Sequence, residues 1–148
     1  MRLVLTAVLV SIAGCSAAVG ETLLRCDDCE EVRVIRVIDG DTLDTPSGRI
    51  RLFGVDTPEI GERCAVEAAN RLSGLAGNSV RLEDGPRLTD QFGRRLAYVY
   101  TKDGLSIDEI LVREGLGTAW TEDAQHRDYL VGLERDSRAS EFGCLWSK

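Results

Sequence analysis

The chain has 148 residues, of which 43% are hydrophobic and 29% are charged, as in an ordinary soluble globular protein with one domain and its own core. Its formal net charge of -7 speaks against nucleic-acid binding through a broad basic surface, because such binding needs many Lys and Arg side chains to neutralise phosphates. Any recognition of phosphate must therefore be local.

Residues 1–14 predict an export signal. They carry one positive charge and then an apolar run that is too short to span a bilayer. The run ends in IAGC at residues 12–15, which resembles the lipobox of bacterial lipoproteins, where cleavage leaves the cysteine as a lipidated N-terminus. We therefore expect Cys15 to be lipidated and to anchor the protein to a membrane, facing the periplasm or the cell exterior. The alternative is a plain signal peptide cleaved near Ala18 and a secreted protein.

Four further cysteines, Cys26, Cys29, Cys64 and Cys144, follow the signal. An even number of cysteines outside the cytoplasm suggests two disulfides, for which three connectivities are possible. Cys26 and Cys29 also have the spacing of zinc ligands. The two distant cysteines lack the second close pair of a zinc ribbon, and disulfides are therefore the favoured interpretation.

Residues 15–30 are predicted to be a tether, and residues 31–148 a folded domain. Strands are predicted over residues 31–38, 42–44, 50–53, 80–83 and 96–101, with a bulge near Ile35-Arg36. Helices are predicted from about residue 63 to the stop signal at 77–78, around residues 107–111, and over about 124–141, where Phe142 completes the buried face. Residues 84–91 are predicted to be a turn and loop.

This order of elements predicts an α+β, mainly β fold. Five short strands, with a helix after the third and two helices at the end, fit a five-stranded OB-fold barrel with three helices. The first three strands alone could equally open another kind of small barrel.

The stretch IRLFGVDTPE at residues 50–59 combines a strand with a stiff polar turn. It holds one guanidinium, Arg51, and two carboxylates, Asp56 and Glu59. An arginine can bind a phosphate with two hydrogen bonds, and a carboxylate can bind a hard cation or accept a proton from water. Taken alone, however, the stretch favours a structural turn with a surface ion pair.

Further motifs change that interpretation. They are DGDT at residues 39–42, Arg51, DTPE at 56–59, DQFGR at 90–94, LAYVY at 96–100, LVREGLG at 111–117 and the closing LW at 145–146. In this order and spacing they resemble the staphylococcal nuclease (thermonuclease) family. The likeness runs from about Val34 to Trp146, nearly the whole predicted domain.

The resemblance implies a calcium-dependent site. Asp41 and Asp56 would supply carboxylate ligands to Ca²⁺, and the Thr57 carbonyl would supply a further ligand. It also implies two phosphate-binding arginines, Arg51 and Arg94, and a candidate general base, Glu59.

The chain departs from the family archetype where substrate binds. Gln91 and Phe92 stand in place of a lysine and a tyrosine that contact the nucleotide, and Trp120 is the nearest substitute for tyrosines before the last helix. We expect these three residues to bind substrate, with weaker affinity than the archetype and strong dependence on salt and calcium.

The resemblance also bears on the cysteines. Where the family's chain ends, it folds back near the start of the first helix, which implies a pair of Cys64 with Cys144 and leaves Cys26 with Cys29. A pair of Cys26 with Cys144 remains open.

The sequence thus predicts an exported, monomeric calcium-dependent nuclease that hydrolyses DNA and/or RNA. The alternative is an OB-fold module that binds nucleic acid or protein without catalysis. Such modules typically lose the aspartates or arginines of the site, whereas here all five implied aspartate, arginine and glutamate positions are present. The enzyme is therefore the favoured hypothesis.

Overall fold

The computed structural model describes residues 24–148, and the predicted signal segment and Cys15 lie outside this range. The strands are β1 (Glu30–Arg33), β2 (Arg36–Val37), β3 (Thr42–Thr45), β4 (Gly48–Leu52), β5 (Val55–Asp56), β6 (Ser79–Thr89), β7 (Arg95–Thr101) and β8 (Thr118–Ala119). The helices are α1 (Ala65–Ala76), α2 (Ile107–Arg113) and α3 (Arg127–Ala139). Within this part of the chain, no helix has the length and apolar character to cross a membrane. The division at residues 14 and 30 stays a prediction.

Six of these strands form one mixed sheet in the order β1-β6-β7-β4-β3-β2. Strands β4 and β7 are parallel, and the other neighbours are antiparallel. The short strands β5 and β8 pair separately, with Val55 opposite Ala119. An α+β fold with three helices is therefore confirmed.

The predicted first strand is divided into β1 and β2. The Val34 N–H donates to the Asn78 carbonyl (2.9 Å), and the next N–H, of Ile35, donates to the Asp44 carbonyl (2.8 Å). Since β1 and β2 are the two outer strands of the sheet, one continuous piece of chain follows both of its edges. A barrel needs such a connection. No strand pair among the described residues closes the sheet, and the five-stranded OB barrel stays a prediction.

The predicted loop over residues 84–89 is wrong, because strand β6 continues to Thr89. It pairs with β7 as far as Asp84, loses register, and pairs again between Thr89 and Arg95. The Phe53 ring packs directly on Gly85, where an added Cβ would lie 2.2 Å from Cδ1 of that ring. The Gly-Pro signal thus marks an irregularity inside a long strand, since proline cannot donate to the ladder.

The core lies between the sheet and the helices. Its largest fully buried apolar side chains are Leu43, Leu52, Phe53, Leu72, Tyr98, Tyr100, Ile107, Leu111 and Leu130. The predicted burial of Phe142 is wrong, since this side chain is 56% exposed. Helix α3 ends at Ala139, and Glu141 adopts a φ of 50°, which takes Phe142 off the helical face.

Two cysteine pairs lie at disulfide distance. They are Cys26 with Cys29 and Cys64 with Cys144, with Cα–Cα distances of 5.6 and 5.8 Å. The second pair joins the start of α1 to the chain end across 80 residues, and the chain-entropy model gives such a loop about 4–5 kcal/mol. The Arg63 Nη2 adds hydrogen bonds to the carbonyls of Cys144 (2.8 Å) and Ser147 (2.7 Å).

A buried carboxylate, that of Asp108 in α2, connects the end of β4 to β7. Its Oδ1 accepts from the Gly54 N–H (2.7 Å), and its Oδ2 accepts from the Val99 N–H (2.9 Å). Burial raises the pKa of Asp108 from its ordinary value of 3.8 to about 6, although the two backbone donors oppose this shift.

This raised pKa predicts a pH-dependent stability. The folded state binds the Asp108 proton more tightly than the unfolded chain does. The stabilisation is therefore fully present below about pH 4 and is lost as the pH rises through about 6. Relative to an Asp108→Asn variant, the wild type should lose about 2 kcal/mol of unfolding free energy between pH 4 and pH 7. Urea denaturation at a series of pH values measures this difference. A difference that stays constant with pH would contradict the prediction.

Candidate active site

One cavity, with a volume of about 510 Å³, gathers the residues that the sequence singled out. The predicted residues on its lining are Asp41, Arg51, Asp56, Glu59, Gln91, Phe92, Arg94 and Trp120. They come from the turn before β3, the end of β4, strand β5 and its following turn, the β6–β7 loop and the residue after β8. Thr57 is not on the lining but lies directly behind Asp41.

The buried guanidinium of Arg51 is at the centre of the site. Because β4 lies between β3 and β7, the register places Arg51 opposite Thr42 on one side and Leu96 on the other. Its Nη1 donates to the carbonyls of Val55 (2.6 Å) and Leu52. Its Nη2 donates to Asp56 Oδ1 (2.5 Å) and lies 3.3 Å from Asp41 Oδ2. One guanidinium thus fixes both predicted metal-binding carboxylates.

Asp41 is held from behind by Thr57. The Thr57 N–H and hydroxyl both donate to Asp41 Oδ2, at 2.9 and 3.0 Å, and the Thr42 hydroxyl donates to Oδ1 at 3.1 Å. Burial raises the pKa of Asp41 above its ordinary value, and the charge of Arg51 opposes that shift. Gly40 makes this approach possible, because an added Cβ would lie 2.4 Å from Thr57 Oγ1 and 2.7 Å from Ala68 Cβ.

Asp90 organises the β6–β7 loop and orients Arg94. Its Oδ1 accepts from the N–H groups of Phe92 and Arg94, both at 2.9 Å, and its Oδ2 accepts from Arg94 Nε at 2.7 Å. Burial disfavours the charged form of Asp90, but these hydrogen bonds prevail and keep its pKa below its usual range. The Arg94 Nη1 reaches the Thr42 hydroxyl at 3.3 Å, next to Asp41.

Glu59 stands on a fixed backbone with an exposed side chain. Its N–H donates to Glu62 Oε2 (2.8 Å), and its carbonyl accepts from the Glu62 N–H (2.9 Å). No side chain in residues 24–148 donates to the Glu59 carboxylate. That carboxylate is therefore available to water in the cavity.

An aromatic ring lies beside each of the two arginines. The Arg94 guanidinium lies 5.6 Å from the centroid of Phe92, a ring that is 74% exposed, and the Arg51 guanidinium lies 6.0 Å from the centroid of Trp120. The β5–β8 pairing brings Trp120 to this position, and the backbone N–H of Trp120 donates to the Gly54 carbonyl (3.0 Å). Gln91 lies at the exposed tip of the β6–β7 loop.

Two carboxylates of the site could take part in binding a cation. Over the described residues 24–148, no cluster of three or more His, Cys, Asp or Glu side chains forms a metal site. Asp41 and Asp56, however, converge on one atom, Arg51 Nη2, and positive charge is therefore already stabilised between them. Calcium takes six to eight oxygen ligands, which carboxylates, carbonyls, water and a phosphate can share. Asp41 and Asp56 fit such an ion as two of its ligands.

The sequence interpretation assigns no role to several residues of the cavity and treats Asp39 as a turn residue. The residues without an assigned role are Leu52, Phe53, Arg87, Asp90, Leu96 and Glu122. Asp90 lay inside a quoted motif but was given no role. The sequence pattern predicts a loop at Arg87, whereas this residue lies in β6. An alternating pattern extended from residue 80 across Gly85-Pro86 would have indicated that strand.

Comparison with known proteins decides the family. The family model described as "Staphylococcal nuclease homologue" matches residues 49–148. The chain belongs to the staphylococcal nuclease family. A protein named "Uncharacterized endonuclease" from Escherichia coli O157:H7 is 34% identical over 121 residues, which cover 78% of this chain and 76% of that protein.

Two further relatives match the chain. A micrococcal nuclease from Shigella flexneri is 30% identical over 131 residues, covering 77% of this chain and 72% of that protein. A thermonuclease from Staphylococcus intermedius is 38% identical over 101 residues, covering 61% of this chain and 60% of that protein. The resemblance inferred from the motifs is thus confirmed.

Gly40 gives a test of how tightly the site is packed. A Gly40→Ala substitution should lower the unfolding free energy by about 1–3 kcal/mol, because its methyl group collides with Thr57 and Ala68. Urea denaturation measures the change. The matched control is Gly74→Ala on α1, where an added Cβ meets no atom within 4 Å and should stabilise the helix by about 0.5–1 kcal/mol. A Gly40→Ala variant as stable as the wild type would contradict the packing described here.

Proposed function

We propose that this member of the staphylococcal nuclease family hydrolyses phosphodiester bonds of DNA and/or RNA with the aid of Ca²⁺. The observation that carries the proposal is the convergence of Asp41 and Asp56 on Arg51, with Arg94 and Glu59 on the lining of the same cavity. The names of the relatives, endonuclease, micrococcal nuclease and thermonuclease, support the same reaction class.

The two arginines suit the binding of a phosphodiester group. Hydrogen bonds to Asp90 and Thr42 fix the position of the Arg94 guanidinium. Its remaining N–H groups can donate to a phosphate. Arg51 lies on the lining of the same cavity, with its Nη2 held between the two carboxylates. Donors fixed before the reaction stabilise charge as it develops on the phosphoryl oxygens, and the loss of one such donor typically lowers the rate by about 10²–10³-fold.

Asp41, Asp56 and the Thr57 carbonyl would hold the cation. When bound, Ca²⁺ would act as a Lewis acid toward the phosphoryl group. The hydrogen bonds from Thr57 keep Asp41 in place for this role. The buried, partly compensated charge of Asp41 is the type of group that gains most from a nearby cation.

Glu59 would orient the attacking water and accept its proton. Its carboxylate lines the cavity and has no donor partner among residues 24–148. Its backbone is fixed by two hydrogen bonds with Glu62. A base needs this combination of free oxygens and a defined position.

We also propose that the protein is exported, is anchored through a lipid on Cys15, and acts as a monomer. The IAGC motif at residues 12–15 supports the anchor. The two cysteine pairs at disulfide distance fit an oxidising compartment outside the cytoplasm.

The first prediction of this proposal concerns the cation. The purified protein should cleave single-stranded DNA, double-stranded DNA or RNA in the presence of Ca²⁺ and should stop when a chelator removes it, because Asp41 and Asp56 then lose their shared ion. Gel electrophoresis of labelled substrates measures cleavage. Unchanged activity in chelator would refute the calcium mechanism.

The second prediction separates catalysis from folding. Glu59→Gln and Arg94→Lys should each lower turnover by about 10²-fold or more with little change in the melting temperature, because both side chains reach the cavity from outside the core. Arg51→Ala is less suitable, because it would also leave the buried Asp41 uncompensated. Initial rates and thermal denaturation provide the two measurements.

The matched controls for these variants are Glu67→Gln and Arg95→Lys. Glu67 is exposed in the first turn of α1, Arg95 pairs with Asp84 and Glu30, and neither lines the cavity. Both controls should retain turnover within about threefold of the wild type, in keeping with surface positions away from the chemistry. Equal losses in the variants and the controls would show that the effect is structural.

A further inference from the structure

Arg87 is a third arginine of the cavity, and the catalytic site described above does not use it. It lies in β6, and its guanidinium is 5.7 Å from the centroid of the buried Phe53 ring. Its Nε and Nη2 each donate to a carboxylate oxygen of Asp123 at 3.0 Å. Packing on Phe53 and pairing with Asp123 therefore fix the guanidinium in position.

The Arg87 guanidinium retains donors for a ligand. A guanidinium has five N–H groups, and the two bonds to Asp123 are the hydrogen bonds that Arg87 makes within residues 24–148. The side chain is 40% exposed and lines the cavity. Ion pairs this exposed contribute little to stability, and a phosphate could therefore compete with Asp123 for Arg87.

Trp120 connects this pair to the catalytic arginine. Its ring centroid lies 6.0 Å from the Arg51 guanidinium, and its Nε1 donates to Asp123 Oδ1 at 3.2 Å. Arg51, Trp120, Asp123 and Arg87 thus follow one another along the site. A polynucleotide likewise alternates phosphates with nucleosides, and it is the kind of ligand that could reach both arginines.

We propose that Arg87 binds a second phosphate of a polynucleotide, one that is not cleaved, and that Asp123 occupies Arg87 when substrate is absent. This inference rests on the proposed function, since it names the substrate of that site as a chain with at least two neighbouring phosphates. Arg87 is then a specificity residue that favours polynucleotides over isolated phosphodiesters. Asp123 is its internal competitor.

Two substitutions separate this role from a merely structural ion pair. Arg87→Gln removes the phosphate donor, and Asp123→Asn frees Arg87 while its amide oxygen can still accept from Trp120 Nε1. A structural pair predicts that both variants shift substrate affinity in the same direction, because each breaks the same contact. The subsite predicts opposite directions.

The probe is a labelled single-stranded DNA oligonucleotide, whose Kd is measured by fluorescence anisotropy in chelator, where no cleavage is expected. Arg87→Gln should raise the Kd by about 3–10-fold and reduce the slope of log Kd against log salt by about 0.7, as for one lost phosphate contact. Asp123→Asn should lower the Kd by about 2–5-fold, as for release of an exposed ion pair. Hydrolysis of bis(p-nitrophenyl) phosphate with Ca²⁺, which offers no second phosphate, should stay within about twofold in both variants.

Arg71 and Glu114 supply the matched controls. They form a similar two-bond pair of comparable exposure outside the cavity, with distances of 2.7 and 2.5 Å. Arg71→Gln and Glu114→Gln change the net charge by the same amounts as the two test variants. Neither control should reproduce the shifts in Kd or in salt slope.

The outcomes distinguish this inference from the proposed function. Shifts of Arg87→Gln and Asp123→Asn in the same direction, shifts equal to those of the controls, or no oligonucleotide binding by the wild type would each overturn the subsite. Opposite shifts without hydrolysis by any protein would support the subsite and refute the nuclease. Hydrolysis of oligonucleotides with unchanged Kd in both variants would leave the nuclease intact and overturn the subsite.

Discussion

The interaction on which the site depends is the burial of the Arg51 guanidinium between two carboxylates and two backbone carbonyls. A buried charge costs several kcal/mol unless partners compensate it. The turn before β3 supplies Asp41 and β5 supplies Asp56 to compensate the charge at the end of β4. The fold and the candidate site consequently share one network, in which both carboxylates hold Arg51.

The same arrangement explains how an acidic protein can hold three arginines in one cavity. Each arginine of the cavity is paired with a nearby carboxylate: Arg51 with Asp41 and Asp56, Arg94 with Asp90, and Arg87 with Asp123. These acids cancel much of the long-range attraction that a basic surface would exert. What remains is a set of donors fixed in direction, which suits short-range hydrogen bonding to phosphate better than steering from a distance.

The sequence predicts the parts of this structure that local patterns encode. Helix α1 follows from its periodic alanines and leucines, and the central residues of the cavity follow from the family motifs. Strands β5 and β8 have two residues each, too few to carry a period, and their pairing needs the whole fold. The second half of β6 was missed because a turn signal at Gly85 is overridden by the Phe53 ring that packs on it. Because Arg87 lies in that half of the strand, its place on the cavity was not predicted either.

Gly54 shows how the core controls the site from behind. Its N–H donates to the buried carboxylate of Asp108, and its carbonyl accepts from the backbone N–H of Trp120. An added Cβ would lie 2.7 Å from Leu130 Cδ1 and 2.9 Å from Tyr98 Cε1, and no side chain therefore fits there. Since Gly54 lies between Arg51 and Asp56 in the chain, a shift of helix α2 would change the spacing of the guanidinium, the carboxylate and the indole together. The relative positions of Arg51, Asp56 and Trp120 thus depend on the buried carboxylate of Asp108, which lies behind the site.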